Sequence, residues 1–178
     1  STASHHKDAY SLMLLKHLLA GNASSRIHRQ LIQQDKVLTT ANIGYDFIQR
    51  GDTLFNITAI PTQGIPLSIA QQKINALFED LKTNLITHDE LEQVKTQVIA
   101  QHIYSQDTLT DQAQLLGNLY TNGLDVNLSQ KLPHYYQEIT PQDIQQVVQK
   151  YFDQKNLTTL YLQKQFADIP ADSRAEQN

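Results

Sequence analysis

The sequence predicts an α+β fold in which helices pack on one face of an antiparallel sheet. Apolar residues recur three to four positions apart over most of the chain, as they do in amphipathic helices. Residues 37–48 and 53–62 instead alternate between apolar and polar side chains on the two sides of a short polar turn, which indicates a β-hairpin. Helices gathered around one hairpin are typical of α+β domains.

The first predicted helix, residues 8–20, is apolar on nearly all sides. One helical stripe contains Tyr10, Met13, Leu14 and Leu18, and Leu15 and Leu19 widen it. A helix that is apolar all round is normally buried. We therefore expect this helix at the centre of the core.

A turn and a short second helix, ending before Val37, are predicted for GNASSRIHRQLIQQDK. Small residues suit the end of one helix, and Ser24 or Ser25 is expected to cap the next by accepting backbone N–H groups. Two interpretations stay open at this point. Ser25 and Arg26 either do chemistry or simply hold two helices together.

The two hairpin strands are joined by Gln49-Arg50-Gly51-Asp52. Arg-Gly-Asp is also an integrin-adhesion tripeptide, but a glycine between polar residues is what a hairpin turn selects. We therefore interpret this segment as a turn. A third strand is predicted for Leu157 to Gln163, which are rich in β-branched and aromatic residues.

Five further helices are predicted between the hairpin and the third strand. Their signals are Pro66 at the start of the first, the capping box Thr87-His88-Asp89-Glu90, Gly123 after the helix that begins near Leu109, a short run from Leu128 to Tyr136, and a cap at Thr140-Pro141-Gln142-Asp143. Residues 8–166 are predicted to form one domain, preceded by a flexible N-terminus (residues 1–7) and followed by a mobile polar tail (residues 167–178).

Composition excludes several classes of function. The sequence has no cysteine, so disulfides and thiolate zinc sites are excluded. The formal net charge is −4, and Lys and Arg are scattered singly, so nucleic acid is not an expected partner. The longest apolar run, YSLMLLKHLLA, is too short to cross a bilayer, so no membrane span is expected.

No catalytic or metal-binding residue is predicted in this chain, and no substrate-binding residue is assigned. The seven histidines include no H-x-x-x-H or H-x-x-E-H pair; they are His5, His6, His17, His28, His88, His102 and His134. His102 is expected to be half-buried and hydrogen-bonded. The acidic cluster of Asp89, Glu90 and Glu92 is explained by the helix dipole. Ser24 and Ser25 lack a G-x-S-x-G elbow, and the glycines form no nucleotide-binding motif.

A family resemblance appears when the segments are taken in order. LLAGNASSRIHRQLIQQDKVLTTANIGYDF, GDTLFNITAIPTQG and LITHDELEQVKTQVI together resemble the C-terminal-type, non-catalytic domain of the pitrilysin or insulinase zinc metallopeptidases, which include enzymes like the mitochondrial processing peptidase. The resemblance continues through QAQLLGNLYTNGL and EITPQDIQQVVQKYF and covers nearly all of residues 8–165. It implies the metallopeptidase clamshell-unit (LuxS/MPP-like) fold, and Ser25-Arg26-Ile27 resembles the family's Ser-Arg-Leu turn.

The resemblance implies a function that depends on a partner. Family members carry zinc on an H-x-x-E-H helix in an early unit, and other units complete a closed chamber. This sequence has no such motif. The resemblance therefore implies a non-catalytic unit that helps to form the peptide-binding chamber and is inactive alone. The expected partners are a zinc-bearing N-terminal domain or partner subunit and a peptide substrate, with zinc in the missing catalytic half and no cofactor in this chain.

One departure from the family refines its expected place. In the last unit of many members, an arginine and a tyrosine seven residues apart reach the zinc site, and the matching positions here are Ile32 and Thr39. Isoleucine and threonine lack the guanidinium and phenol groups of the family's pair, so neither can supply the same hydrogen bonds. The departure favours the second unit of the zinc-bearing half, as in bacterial two-half periplasmic members, or else a degenerate partner subunit. A periplasmic or secreted location is expected, with the cytoplasm as the alternative.

Two other interpretations of the function stay open. The chain could be a catalytically dead scaffold or binding subunit with the same fold, or, more remotely, a hydrolase that uses Ser25. The resemblance also implies a strand before the first helix, whereas residues 1–7 are polar. We expect that strand to lie upstream and the unpaired sheet edge to attract a second copy, which would give a homodimer.

Overall fold

The computed structural model describes residues 7–48 and 53–162. Its elements in chain order are α1 (Lys7–Ala20), a π-helix (Ile27–Gln34), β1 (Leu38–Gly44), β2 (Asn56–Pro61), α2 (Leu67–Thr83), α3 (His88–Tyr104), α4 (Leu109–Thr121), α5 (Leu128–Gln137), α6 (Pro141–Tyr151) and a 3₁₀ turn (Gln154–Asn156). The predicted α+β class is confirmed, with more helix than sheet. The predicted tail lies outside the described residues, as does the predicted flexible N-terminus except for Lys7, which begins α1.

Helix α1 is the centre of the core, as its apolar surface predicts. It packs against β1, α3, α5 and α6. Leu14, Leu15 and Leu19 are completely buried, and the ring of Tyr10 meets Phe47 edge to face at 5.7 Å between centroids. One continuous apolar core therefore joins the hairpin to the helices.

Strands β1 and β2 form the predicted antiparallel pair, which is the only sheet within the described residues. Ala41 lies opposite Ala59, and Ile43 opposite Ile57, and this face is turned toward the helices. The register shifts between Leu38 and Thr40, as at a β-bulge. The predicted turn at residues 49–52 lies outside the described residues.

The cap signals are confirmed at two helices and hold only in part at a third. Thr140 and Asp143 form a reciprocal capping box at α6, and Gly123 follows α4 with a φ of 71°. At α3, the Thr87 side chain accepts a hydrogen bond from the Glu90 backbone N–H, as predicted. The Glu90 carboxylate, however, bonds to a distant arginine instead of returning to the cap.

The predicted third strand is wrong for residues 157–162, which are extended but pair with no strand in the described part of the chain; Gln163 is not among the described residues. The Tyr161 hydroxyl donates to the Gln71 side-chain oxygen on α2, and the Gln71 amide donates to the Thr159 hydroxyl. These contacts hold the segment against a helix. Leu160 and Leu162 are left almost fully exposed.

Lys36 connects the π-helix to β1 in a left-handed conformation, with a φ of 53°. Such a conformation costs a residue with a Cβ about 1 kcal/mol relative to glycine. The side chain of Lys36 is exposed, so its replacement removes no core contact. The strain at this joint therefore comes from the backbone alone.

Lys36→Gly should raise the free energy of unfolding by about 1 kcal/mol, because glycine adopts this φ without steric cost. Urea unfolding followed by circular dichroism measures the change. The matched control is Lys36→Ala, which removes the charge but keeps the Cβ and should give no gain. An equal gain for both variants would show that the charge, and not the backbone, is responsible.

Candidate functional site

Gly21 ends α1 in a turn that only glycine fits. Its backbone N–H donates to the carbonyl of His17 at 2.9 Å. A Cβ at this position would lie 2.6 Å from that same carbonyl oxygen, closer than real Cβ atoms approach. The chain therefore reverses directly after α1 and brings residues 22–26 beside α3.

The turn is tied to α3 by Asn22. Its side-chain oxygen accepts the Ser24 backbone N–H at 2.7 Å, and its amide donates to Gln97 at 2.5 Å. Such a local side-chain bond stabilises a turn at the expense of a helix. As a result, the position of the residues that follow is fixed from two sides.

Arg26 connects the start of the π-helix to α2 and α3. Its guanidinium donates twice to the Glu90 carboxylate, at 2.9 Å each, and once to Asp80 at 3.0 Å. The Arg26 side chain is only 13% exposed. Hydrogen bonds to Glu90 are the main reason that the pKa of Arg26 is raised. Of the two interpretations for this residue, the geometry supports the structural one.

The short second helix predicted from the sequence is a π-helix. The Asp35 backbone N–H donates to the Gln30 carbonyl at 2.8 Å, which is the five-residue spacing of π-helices. Ile27 and Leu31 are the buried residues of this helix. Stretches of π-helix are rare and occur frequently at functional sites.

The predicted serine cap of this helix is wrong. No side chain caps its N-terminus, and Ser24 is exposed. Ser25 is 6% exposed, and among the described residues its hydroxyl oxygen has no hydrogen-bond partner. A buried hydroxyl without a partner is uncommon and needs a physical explanation.

Ser25 lines a cavity of about 200 Å³, called here the Ser25 cavity. Its walls are Ala20, Asn22, Ser25, Ile27, His28, Ile32 and Ala41. Ile32, at the position where related domains carry an arginine by resemblance, is therefore an apolar wall of this cavity. Thr39, the second such position, is exposed at the bulge in β1 and does not line the cavity.

A larger cavity of about 400 Å³ lies beside it, between α1, α3 and β1, and contains His17 and His102. Burial, and then the neighbouring Lys16, lower the pKa of His17. His102 is half-buried, as predicted, and its Nε2 lies 2.9 Å from the Ser129 carbonyl, to which it donates. Sequence reasoning did not bring these two histidines together, because they are 85 positions apart and follow no motif.

No group of three or more histidine, aspartate or glutamate side chains that could hold a metal ion occurs in residues 7–48 and 53–162. This part of the chain therefore offers no donor set for zinc. The described helices also include none that is long and apolar enough to span a membrane.

The first half of the chain matches the model of a known family. Residues 1–98 match the model of the peptidase M16 inactive domain. The chain belongs to this M16 inactive-domain family. The resemblance to the non-catalytic domains of zinc metallopeptidases is therefore confirmed.

The M16 inactive domain described here is similar to the zinc protease PqqE of Helicobacter pylori, with 26% identity over 160 residues. The matched region is 88% of this chain but 35% of PqqE, so the chain spans about a third of that relative's length. A protease from Helicobacter pylori with a known crystal structure superimposes with a TM-score of 0.78 at 25% identity, over 86% of this chain and 37% of that one.

Two Bordetella structures show the same fold over most of their own length. The inactive peptidase domain of a candidate zinc protease from Bordetella parapertussis has a TM-score of 0.79 at 19% identity, over 94% of this chain and 89% of that one. A candidate zinc protease from Bordetella pertussis Tohama I has a TM-score of 0.75 at 20% identity, over 86% and 84%. The fold of this chain therefore accounts for most of the length of both solved chains.

Arg26→Ala should lower the free energy of unfolding of this M16 inactive domain by about 2–4 kcal/mol, because it leaves the partly buried Glu90 carboxylate without its partner. Urea unfolding measures the loss. Arg29→Ala, on the exposed face of the same π-helix, is the matched control and should change stability by less than about 0.5 kcal/mol. Similar small effects for both would mean that the ion pair contributes little.

Ser25→Ala should leave stability unchanged or raise it by up to about 1 kcal/mol, because the variant removes a hydroxyl that is buried without a partner. If Ser25 capped the helix, Ser25→Ala would instead lower the free energy of unfolding by about 0.5–2 kcal/mol. Thr140→Ala supplies the comparison, since the Thr140 hydroxyl does cap α6. Equal losses at the two positions in thermal or urea unfolding would contradict the unpaired state of Ser25.

Proposed function

We propose that this chain is a non-catalytic domain of a zinc-dependent endopeptidase and forms part of the chamber that holds the peptide. Zinc and the catalytic base belong to a partner domain or subunit. The match to the M16 inactive domain carries the proposal. The full sequence adds support, because it contains no H-x-x-E-H motif.

The lengths of the relatives support a partner that carries the chemistry. This chain corresponds to about a third of the zinc protease PqqE, so most of that protein lies outside the matched region. A metal-assisted hydrolysis needs a metal-activated water and a base, and the described residues provide no metal cluster. The reaction is therefore assigned to the partner.

The surface of the domain also fits a partner. Large apolar side chains are exposed along the end of α3 and on α4; they are Ile103, Tyr104, Leu109, Leu116 and Tyr120. Exposed apolar groups gathered in one region are typical of interaction surfaces. The outer face of the hairpin is more polar, since it presents Thr40, Asn42 and Thr58 together with one exposed apolar residue, Ile60, and it suits a solvated chamber wall.

A mixing experiment tests the proposal. The chain alone should retain no stoichiometric zinc after dialysis and should cleave no peptide from a quenched fluorescent library. Addition of the H-x-x-E-H domain encoded in the same or a neighbouring reading frame should give zinc-dependent cleavage, or raise it, because the two halves together close the chamber.

Variants on α4 provide the matched control. Leu109→Ser and Tyr120→Ser should weaken this gain if the apolar surface contacts the zinc-bearing partner, whereas Gln114→Ser, also exposed on α4, should not. Binding of the two halves without any cleavage would favour the catalytically dead scaffold instead. Cleavage by the chain alone without added metal would contradict both.

The proposal includes a periplasmic or secreted location, which follows from the resemblance to two-half bacterial members. The cytoplasm is the alternative. Cell fractionation with an antibody against the chain distinguishes the two.

A further inference from the structure

The Ser25 cavity has the polar character of a binding site. Ser25 is more than nine-tenths buried, and its hydroxyl has no partner among the described residues. The cavity that it lines measures about 200 Å³, enough for a small functional group with one or two methylenes. A hydroxyl that is buried beside open space can donate to a ligand without first breaking another bond.

In addition to the Ser25 hydroxyl donor, the start of the π-helix gives the cavity a positive electrostatic potential. The first N–H groups of any helix have no partner within it, and here no side chain caps them. No acidic residue lies in the first turn. A helix N-terminus of this kind favours anions. His28, in the first turn, adds an imidazole to the cavity wall.

The remaining walls decide which anion fits. No acidic side chain lines the cavity, and Ala20, Ile27, Ile32 and Ala41 add apolar walls beside the polar ones. The carboxylates of Glu90 and Asp80 approach the same helix start, but both are bound to the Arg26 guanidinium. A group with a small charged end and an aliphatic stem matches this distribution better than a fully hydrated phosphate or a cation.

We propose that the Ser25 cavity binds a carboxylate of the peptide substrate, with the Ser25 hydroxyl as a donor and the stem of the group against Ile27 and Ile32. The carboxylate comes from an acidic side chain or from the peptide C-terminus. This assignment rests on the proposed function, because the peptide supplies the group.

Acetate is the first probe, since it tests the cavity independently of any partner domain. In ¹⁵N–¹H NMR spectra of the chain, acetate should shift the amides of Arg26, Ile27 and His28 with a dissociation constant in the millimolar range. Ser25→Ala should weaken acetate binding at least about tenfold, the loss typical of one hydrogen bond to a charged group. Ser24→Ala, at the exposed neighbouring serine, should leave it unchanged.

A titration of the wild-type chain with acetamide tests the proposal without relying on any variant. It has the shape of acetate without the charge and should cause no saturable shift. Equal shifts from acetate and acetamide, or shifts that Ser25→Ala does not weaken, would overturn the proposal. A bound water that satisfies Ser25, seen by water-to-hydroxyl transfer with no acetate response, would overturn it too.

Peptides then distinguish the two sources of the carboxylate. One peptide carries a glutamate between blocked ends, and another has a free C-terminus and no acidic residue; the Gln and C-terminal amide versions are their controls. One of the acidic members should bind more tightly than its neutral control, and Ser25→Ala should remove that difference. In the assembled peptidase, the same variant should raise KM for that peptide with little change in kcat. If neither acidic peptide binds more tightly than its neutral control, the carboxylate site is overturned. If the mixed halves still cleave peptide in that case, the proposed function is retained.

Discussion

The ion pair between Arg26 and Glu90 determines the arrangement of the other parts of the site. It joins the start of the π-helix to α3, and the added bond to Asp80 brings in α2. Without it, the polar contacts between the residues after Gly21 and the helices would include the Asn22 hydrogen bond to Gln97 and the exposed ion pair of Asp35 with Lys73 on α2. Because both side chains are partly withdrawn from water, the pair fixes geometry more than it adds net stability. Because Arg26 directly follows Ser25, this connection holds the end of the π-helix that borders the Ser25 cavity.

Local signals in the sequence predicted the local parts of the fold. The buried α1, the hairpin, and the caps at Thr140 and Gly123 depend on neighbouring residues, and all four are confirmed. The third strand is wrong because β-branched and aromatic residues show only that a segment can be a strand, and pairing also needs an available partner strand. The segment after Leu157 instead forms a hydrogen bond with a side chain of helix α2.

The features of the site were beyond sequence reasoning for a related reason. Arg26 and Glu90 are 64 positions apart, and Glu90 had a local explanation as a capping residue, so nothing in the pattern pointed to the ion pair. Ser25 had a local explanation too, as a helix cap, and that explanation is wrong. The outward position of Thr39 depends on the bulge in β1, and no residue type in this segment predicts a bulge. In each case a tertiary contact or an extra residue in a strand overrode the local preference.

Departures from ordinary folding preferences are concentrated in one stretch of the chain. Between Ser25 and Thr39 lie a buried hydroxyl without a partner, a π-helix without a cap, a lysine at positive φ and a bulged strand. Each of these costs stability, and a sequence selected for stability alone would remove them one at a time. Natural proteins keep such costs where function requires them. Elsewhere the same chain follows the rules, with a complete capping box at Thr140 and a continuous apolar core around α1. The contrast within one domain is informative because the segment that departs from the rules is also the one that borders the Ser25 cavity.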